Sequence, residues 1–338
     1  MRFDAKGADA PFRDLSAGAR IGDTLFVAGD EGAAIERLSP GPRKTWVQTE
    51  SYRLAKLIDL PSGSDSEIDI EGMAIVDGWL WVTGSHALTR PRPDGDGPSA
   101  LRDLSELKRG ANRYLLARFP LVDEGKGQFG IAADAGDREA GRVDAGKRSS
   151  TLIKWIEDDS LLAPFLALPA KENGFDVEGL AAHGHTVWLG LRGPVVRGHA
   201  VVLHFEMRTR RNGLLRARKT AGGRRYHKHL LDLDGLGVRD LLADGEDLLI
   251  LAGPPMTTGD DFRIIRWSDA ETASESMVVP RDALKAETRL PPPGRDLGRP
   301  EAIIAWAPGQ ILVLRDSAPV AKRGKTRTVT AELVEISG

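Results

Sequence analysis

The chain has 338 residues, 41% hydrophobic and 28% charged, with a formal net charge of −2, an ordinary globular balance with no global pull toward nucleic acid or an anionic membrane. It has no cysteine, which excludes disulfides, thiolate nucleophiles and Cys-ligated zinc. No apolar run approaches the ~18 residues of a membrane span, and the opening MRFDAKGADAPF lacks the apolar core of a signal peptide, so a cytoplasmic protein is expected.

In chain order, one template recurs. It begins at Ser16 in LSAGARIGDTLFVAGDE and returns at Glu71 in DIEGMAIVDGWLWVTGS, Glu178 in FDVEGLAAHGHTVWLGLRGP, Asp240 in VRDLLADGEDLLILAGP and Glu301 in RPEAIIAWAPGQILVLRD. Ten residues past these anchors stand Phe26, Trp81, Trp188, Ile250 and Ile311. Fourteen past them, at a polar or turn position, stand Asp30, Ser85, Arg192, Pro254 and Arg315. Short apolar runs on either side of Asp-Gly, His-Gly or Pro-Gly turns predict hairpins rather than helices. A third strand is predicted after each hairpin, in AAIERL, RYLLARFPL, AVVLHFEM, FRIIRW and VTAELVEI. A more polar fourth is clearest in SYRLAKLIDL and HKHLLDLD.

A buried inner hairpin followed by increasingly polar outer strands is what one propeller blade requires. The sequence therefore predicts an all-β fold, a β-propeller of four-stranded blades forming one domain over 1–338. Five blades are favoured and six remain open, because the step from 71 to 178 is nearly twice the others. That step is read as one blade with insertions at about 87–111 and 122–170, carrying helices in SALRDLSELKRGA and STLIKWIEDDSLLAPFLALP, the second capped by Ser149 or Ser150. The last copy supplies about three strands, so the segment before Ser16 is expected to close the ring by adding a strand to the last blade.

ENGFDVEGLA followed by LGLRGPVVRGHAVVL, with the EGMA and GRPEA copies, resembles a bacterial family of unknown function thought to be propeller-like. More distantly, the Glu-Gly starts resemble those of calcium-dependent lactonases and esterase-like phytases. In the lactonases an inner-strand Glu-Gly-Pro supplies a metal-ligating carboxylate. Here Gly, without Pro, follows Glu71 and Glu178, and Ala follows Glu301.

First strands line a propeller's channel, so the anchors should converge at its mouth: Glu71, Glu178, Asp240 and Glu301, with Asp69, Asp176, Arg192, Arg239, Arg299 and Arg315 nearby. Three readings compete. The carboxylates accept hydrogen bonds from neighbouring blades, the reading that their repetition favours. Alternatively, Glu71, Glu178, Asp240 and Glu301 ligate Ca²⁺ or Mg²⁺, which pins the blades or polarises a phosphoester or lactone for hydrolysis, with Glu178 and His86 as catalytic candidates. In the third, Asp69, Asp176 and the four arginines hold a small anionic ligand. A non-catalytic scaffold that recognises a partner protein is the alternative function, and a monomer is expected.

His183 and His185 flank a turn, which points to a solvent-facing hairpin tip. The run Arg208–His229 holds nine Lys or Arg and no acid. It is the only hint of nucleic acid and reads more readily as a solvated loop on the outer rim.

Overall fold

The computed structural model describes residues 1–338 except 5–12, 65, 257, 295–296, 324–325 and 338. The fold is all-β. Five antiparallel hairpins lead its repeats: Leu15–Ile21 with Thr24–Gly29, Ile70–Val76 with Trp79–Gly84, Asp176–His183 with Thr186–Val196, Gly237–Asp244 with Asp247–Gly253, and Arg299–Ala307 with Gln310–Asp316. Two residues close each of them. In the second, Asp77 and Gly78 both have positive φ, at 49° and 74°, the type I′ geometry that matches strand twist.

Third and fourth strands follow in the first, third and fourth repeats, in sheet order with their hairpins. Each leading strand packs on that of the next repeat, and the fifth on the first. A small residue after four of the anchors, Ala17, Gly72, Gly179 and Ala302, permits this approach. A Cβ on Gly72 would lie 2.7 Å from Leu180 Cβ, and one on Gly179 would lie 2.9 Å from Leu241 Cγ. The apolar sides of the hairpins fill the space between repeats, with Phe26, Trp81 and Trp188 almost wholly buried; this burial is the main force holding the repeats together.

The insertions differ in part from expectation. Helices form at Pro98–Ser105 and Thr151–Ile156, and Ser150 Oγ accepts from Ile153 N at 3.2 Å to cap the second. The second insertion also carries strands. Gly141–Val143 pairs with Leu116–Gly125 to extend the second repeat's sheet, and runs parallel to Leu214–Ala217, which joins the sheets of the second and third repeats. Leu214–Ala217 lies inside the basic run. Leu215, Ala217 and Tyr226 are buried, so this part of the run is folded onto the protein rather than forming a solvated loop.

The chain ends also depart from expectation. Arg2–Asp4 pairs antiparallel with Thr326–Val329 and touches the first repeat's outer strand, Thr45–Arg53, in parallel. It does not join the last sheet, whose third strand is Glu332–Glu335. The reason is local: Val320–Arg323 and Thr326–Val329 form their own hairpin and offer the edge that Arg2–Asp4 takes. The rest of the segment expected to close the ring includes 5–12, which lie outside the described residues. Among the described residues no helix is long and apolar enough to cross a membrane.

Candidate functional site

A cavity of about 400 Å³ lies where the five leading strands begin, lined by Ser16, Glu71, Glu178, Arg239 and Glu301. A smaller, more apolar one lies toward their other ends. The five residues are equivalent, because strand register slips at each of them. The next residues pair as Ala17 with Ala28, Gly72 with Thr83, Gly179 with Gly190, Asp240 with Leu251 and Ala302 with Leu314. Such a bulge re-aims a side chain out of the sheet's alternation.

The fourth anchor is therefore Arg239, not Asp240. A one-residue shift moves a strand side chain to the other face. Asp240 leaves the mouth and enters the seam between repeats, where it accepts from Leu241 N and Ile303 N, each at 2.8 Å. This is the backbone-acceptor role that the sequence suggested for all the anchors, realised here at Asp240. Ser16 plays the converse part, donating to Ile70 O at 2.5 Å.

Arg239 in the ring neutralises both neighbours. Its Nε lies 2.9 Å from Glu178 Oε2, and its Nη2 pairs with Glu301. Arg192 continues the chain of alternating charge, with Nη1 2.5 Å from Glu178 Oε1 and Nη2 2.8 Å from Asp176 Oδ2. Beside it, Arg113 Nη1 sits 2.5 Å from Asp69 Oδ2, and its Nη2 pairs with Glu67.

The opposite side is different. Asp14, Asp30, Glu31, Glu71 and Asp316 also line the cavity. Among the described residues neither Asp30 nor Glu71 forms a close ion pair, although Glu71 lies near enough to act on Arg113, Arg192 and Arg239, and Asp30 Oδ1 is buried without any hydrogen-bond partner. Burial, then the carboxylates of Asp69, Asp14 and Asp316, pushes Asp30 up to about 8. Burial, with Asp69 and Glu178 next, raises Glu71 well above the usual carboxylate range. Burial takes Glu178 up to about 8 against the pull of Arg192 and Arg239. It takes Asp69 to about 6 against Arg113. Carboxyls with such separated affinities for protons can divide the roles of acid and base.

Of the residues expected here, Asp69, Glu71, Asp176, Glu178, Arg192, Arg239, Arg299 and Glu301 come together. Arg315 is placed elsewhere: it is buried, donates to Gly298 O at 2.9 Å and pairs with Glu332 Oε2 at 2.8 Å. His86 is buried off the cavity with Nε2 3.1 Å from Leu115 O, and burial lowers it to about 4. His183 and His185 are exposed at their turn, His183 paired to Glu271 at 2.7 Å. Sequence reasoning missed Asp30 as a site residue, although its offset from Ser16 equals that of Arg192 from Glu178. It also missed Arg113, expected to open the strand RYLLARFPL but held in the 3₁₀ turn Ala111–Tyr114 that precedes the strand Leu116–Gly125. Among the described residues no three His, Asp or Glu side chains form a ready metal-ligand group.

Fold and mouth together define an all-β, propeller-like protein with a charged cavity at the start of its inner strands. The chain belongs to the family described as "Protein of unknown function (DUF3616)", matched over residues 14–332. No curated protein matches the sequence. Among solved structures it is similar to the glutaminyl cyclase of Myxococcus xanthus, at 10% identity and TM-score 0.43 over 100% of this chain and 96% of that one. It is also similar to a PQQ-bound aldose sugar dehydrogenase from Streptomyces coelicolor, at 10% identity and TM-score 0.38 over 99% and 98%. A third is the hydrazine synthase of Kuenenia stuttgartiensis, at 11% identity and TM-score 0.38, where this chain is covered over 97% but spans only 64% of the other.

Proposed function

We propose that the chain is a five-bladed propeller whose mouth binds a small cationic ligand on the side formed by Asp30 and Glu71. The five-blade count is supported by the five leading strands that pack in sequence and by a first-to-fifth contact. The observation that carries the binding reading is the division of the mouth. Arg113, Arg192 and Arg239 are ion-paired to other carboxylates, whereas Asp30 and Glu71 form no close ion pair among the described residues. A cation that enters displaces the protons that burial leaves on these two carboxyls and gains the carboxylates so formed, which an anionic ligand cannot do. A cavity of about 400 Å³ suits an organic amine. Ca²⁺ or Mg²⁺ is the simpler occupant expected from the repeated carboxylates, and would enter with part of its water shell retained.

Hydrolysis of a neutral lactone at this mouth would use the Glu178 carboxylate, held by Arg192 and Arg239, as the base that takes a proton from the attacking water and returns it to the leaving alkoxide. Its test is turnover that disappears in Glu178→Gln while ligand binding persists. Binding itself is tested by thermal shift with spermidine, Ca²⁺ and Mg²⁺. At a hundredfold excess over Kd a bound ligand adds about 2.7 kcal/mol, and Asp30→Asn/Glu71→Gln should abolish the shift. Stabilisation by phosphate instead of any cation would refute the reading.

A further inference from the structure

We propose that a groove on the outer rim, between the third and fourth repeats, is a second binding site, for a small phosphate-bearing ligand. The proposal is independent of what the mouth binds. It starts from the basic run that the mouth does not use. Lys219, Thr220 and Arg225 from that run line a groove of about 260 Å³ with His204 and His227. His204 and His227 stand opposite each other on His199–Thr209 and His227–Asp232.

Charge in the groove is distributed in the opposite sense to the mouth. Glu206 is taken by Arg218 at 2.7 Å, and Glu271 by His183 at 2.7 Å. Arg225 Nη1 donates to Ala217 O at 2.6 Å, and neither Arg225 nor Lys219 has an acidic partner among the described residues. The turn between these two cations is held by Thr220 N donating to Arg224 O at 2.8 Å and Gly223 N donating to Thr220 O at 2.9 Å. Two uncommitted cations therefore face a pocket whose carboxylates are already engaged.

The wall behind them has polar atoms that need a partner. His204 Nδ1 is buried without one, as are Trp188 Nε1 and both ring nitrogens of His229. The rings are contiguous: His204 lies 5.3 Å from Trp188, 5.8 Å from His227 and 5.7 Å from His229. Buried polar atoms are normally satisfied, and a cluster of exceptions points to a bound water, ion or ligand. The nearby Lys219 and Arg225 repel a metal cation, while the imidazole N–H groups of His204 and His227, which line the groove, donate to an oxyanion. Phosphate oxygens can take these two donors and both side-chain cations at once, with Trp188 and His229 packed behind them. A groove of about 260 Å³ fits a small ligand rather than a nucleic-acid strand, because burial of Leu215, Ala217 and Tyr226 folds part of the run inward and interrupts the basic stripe.

The test is calorimetric titration with inorganic pyrophosphate at fixed ionic strength. One saturable site is expected in the wild type, weakened at least about tenfold in Lys219→Met/Arg225→Met. Because Arg225 also holds Ala217 O, Lys219→Met alone serves if the double variant loses its melting transition. Arg216→Met, exposed in the same run but outside the groove, should bind as the wild type does. The imidazole ¹⁵N signals of His204 and His227 should move on titration. Absence of saturable binding, equal weakening by Arg216→Met, still imidazole signals, or tighter binding of a single-stranded oligonucleotide than of pyrophosphate would each overturn the proposal.

Discussion

The mouth and the rim groove hold similar residue types with opposite outcomes. At the mouth, guanidiniums are consumed by carboxylates and acids remain; at the rim, carboxylates are consumed and cations remain. The difference arises from position in the repeat. Anchors that bulge from five converging strands crowd acids of neighbouring repeats against one another, and Arg239, replacing a glutamate in the fourth, relieves two of them. The rim receives its charge from one basic run, Arg208–His229, with no symmetry to bring in matching acids. Counting charges along the chain would thus misjudge both places; what matters is which charges remain uncommitted.

The comparison can be broken most forcefully at Arg239. Arg239→Met leaves Glu178 and Glu301 buried without it, and should cost about 3–5 kcal/mol of unfolding free energy in denaturant titration. A loss below about 1 kcal/mol would mean that the ring is not held by this residue. At the rim the corresponding support is Asp159, fully buried beneath the basic run. It accepts from Tyr226 Oη at 2.7 Å and from Lys228 Nζ at 2.6 Å. Asp159→Ala should cost about 2–3 kcal/mol and abolish pyrophosphate binding, whereas cation binding at the mouth should persist.

Titration separates the two regions with opposite signs. Asp30 is raised in the folded state to about 8, so its folded form holds a proton that the unfolded chain has released. Its stabilising contribution is complete below the unfolded pKa of 3.8 and is lost as pH rises through about 8. His229 is lowered by burial to about 3 and His204 to about 4. Their contribution is present above the unfolded value of 6.5 and falls as the pH drops toward the folded values. Melting temperature followed from pH 4 to 9 should fall at both ends. Asp30→Asn should flatten the alkaline limb and His229→Phe the acid one; if each variant altered the other limb, the assignment of the two regions would be reversed.

Much of this was legible in the sequence because strand-and-turn repeats leave a pattern: five hairpins, their anchors and both inserted helices follow from it. The fourth anchor was misread because VRD offers an arginine and an aspartate side by side, and only the bulge decides which one enters the mouth. Arg113 opens the predicted third strand RYLLARFPL, yet it lies in the 3₁₀ turn before that strand, and the turn is what carries it to the mouth. Arg315 had the right offset, yet it turns toward Glu332 and the backbone of its own repeat. The basic run was visible as charge, while its fold depends on Tyr226 reaching Asp159, a contact between segments far apart in sequence. The acid-rich side was hidden for a further reason: an uncommitted carboxylate is defined by what its neighbours have already paired with.

The mouth is proposed to take a cation through Asp30 and Glu71. This is tested most directly by titrating spermidine calorimetrically at pH 7 in two buffers of different ionisation enthalpy. Because burial keeps Asp30 protonated at that pH, the account predicts saturable binding that releases protons and disappears in Asp30→Asn/Glu71→Gln. Binding of equal strength in that double variant, or binding with no proton release, would contradict it.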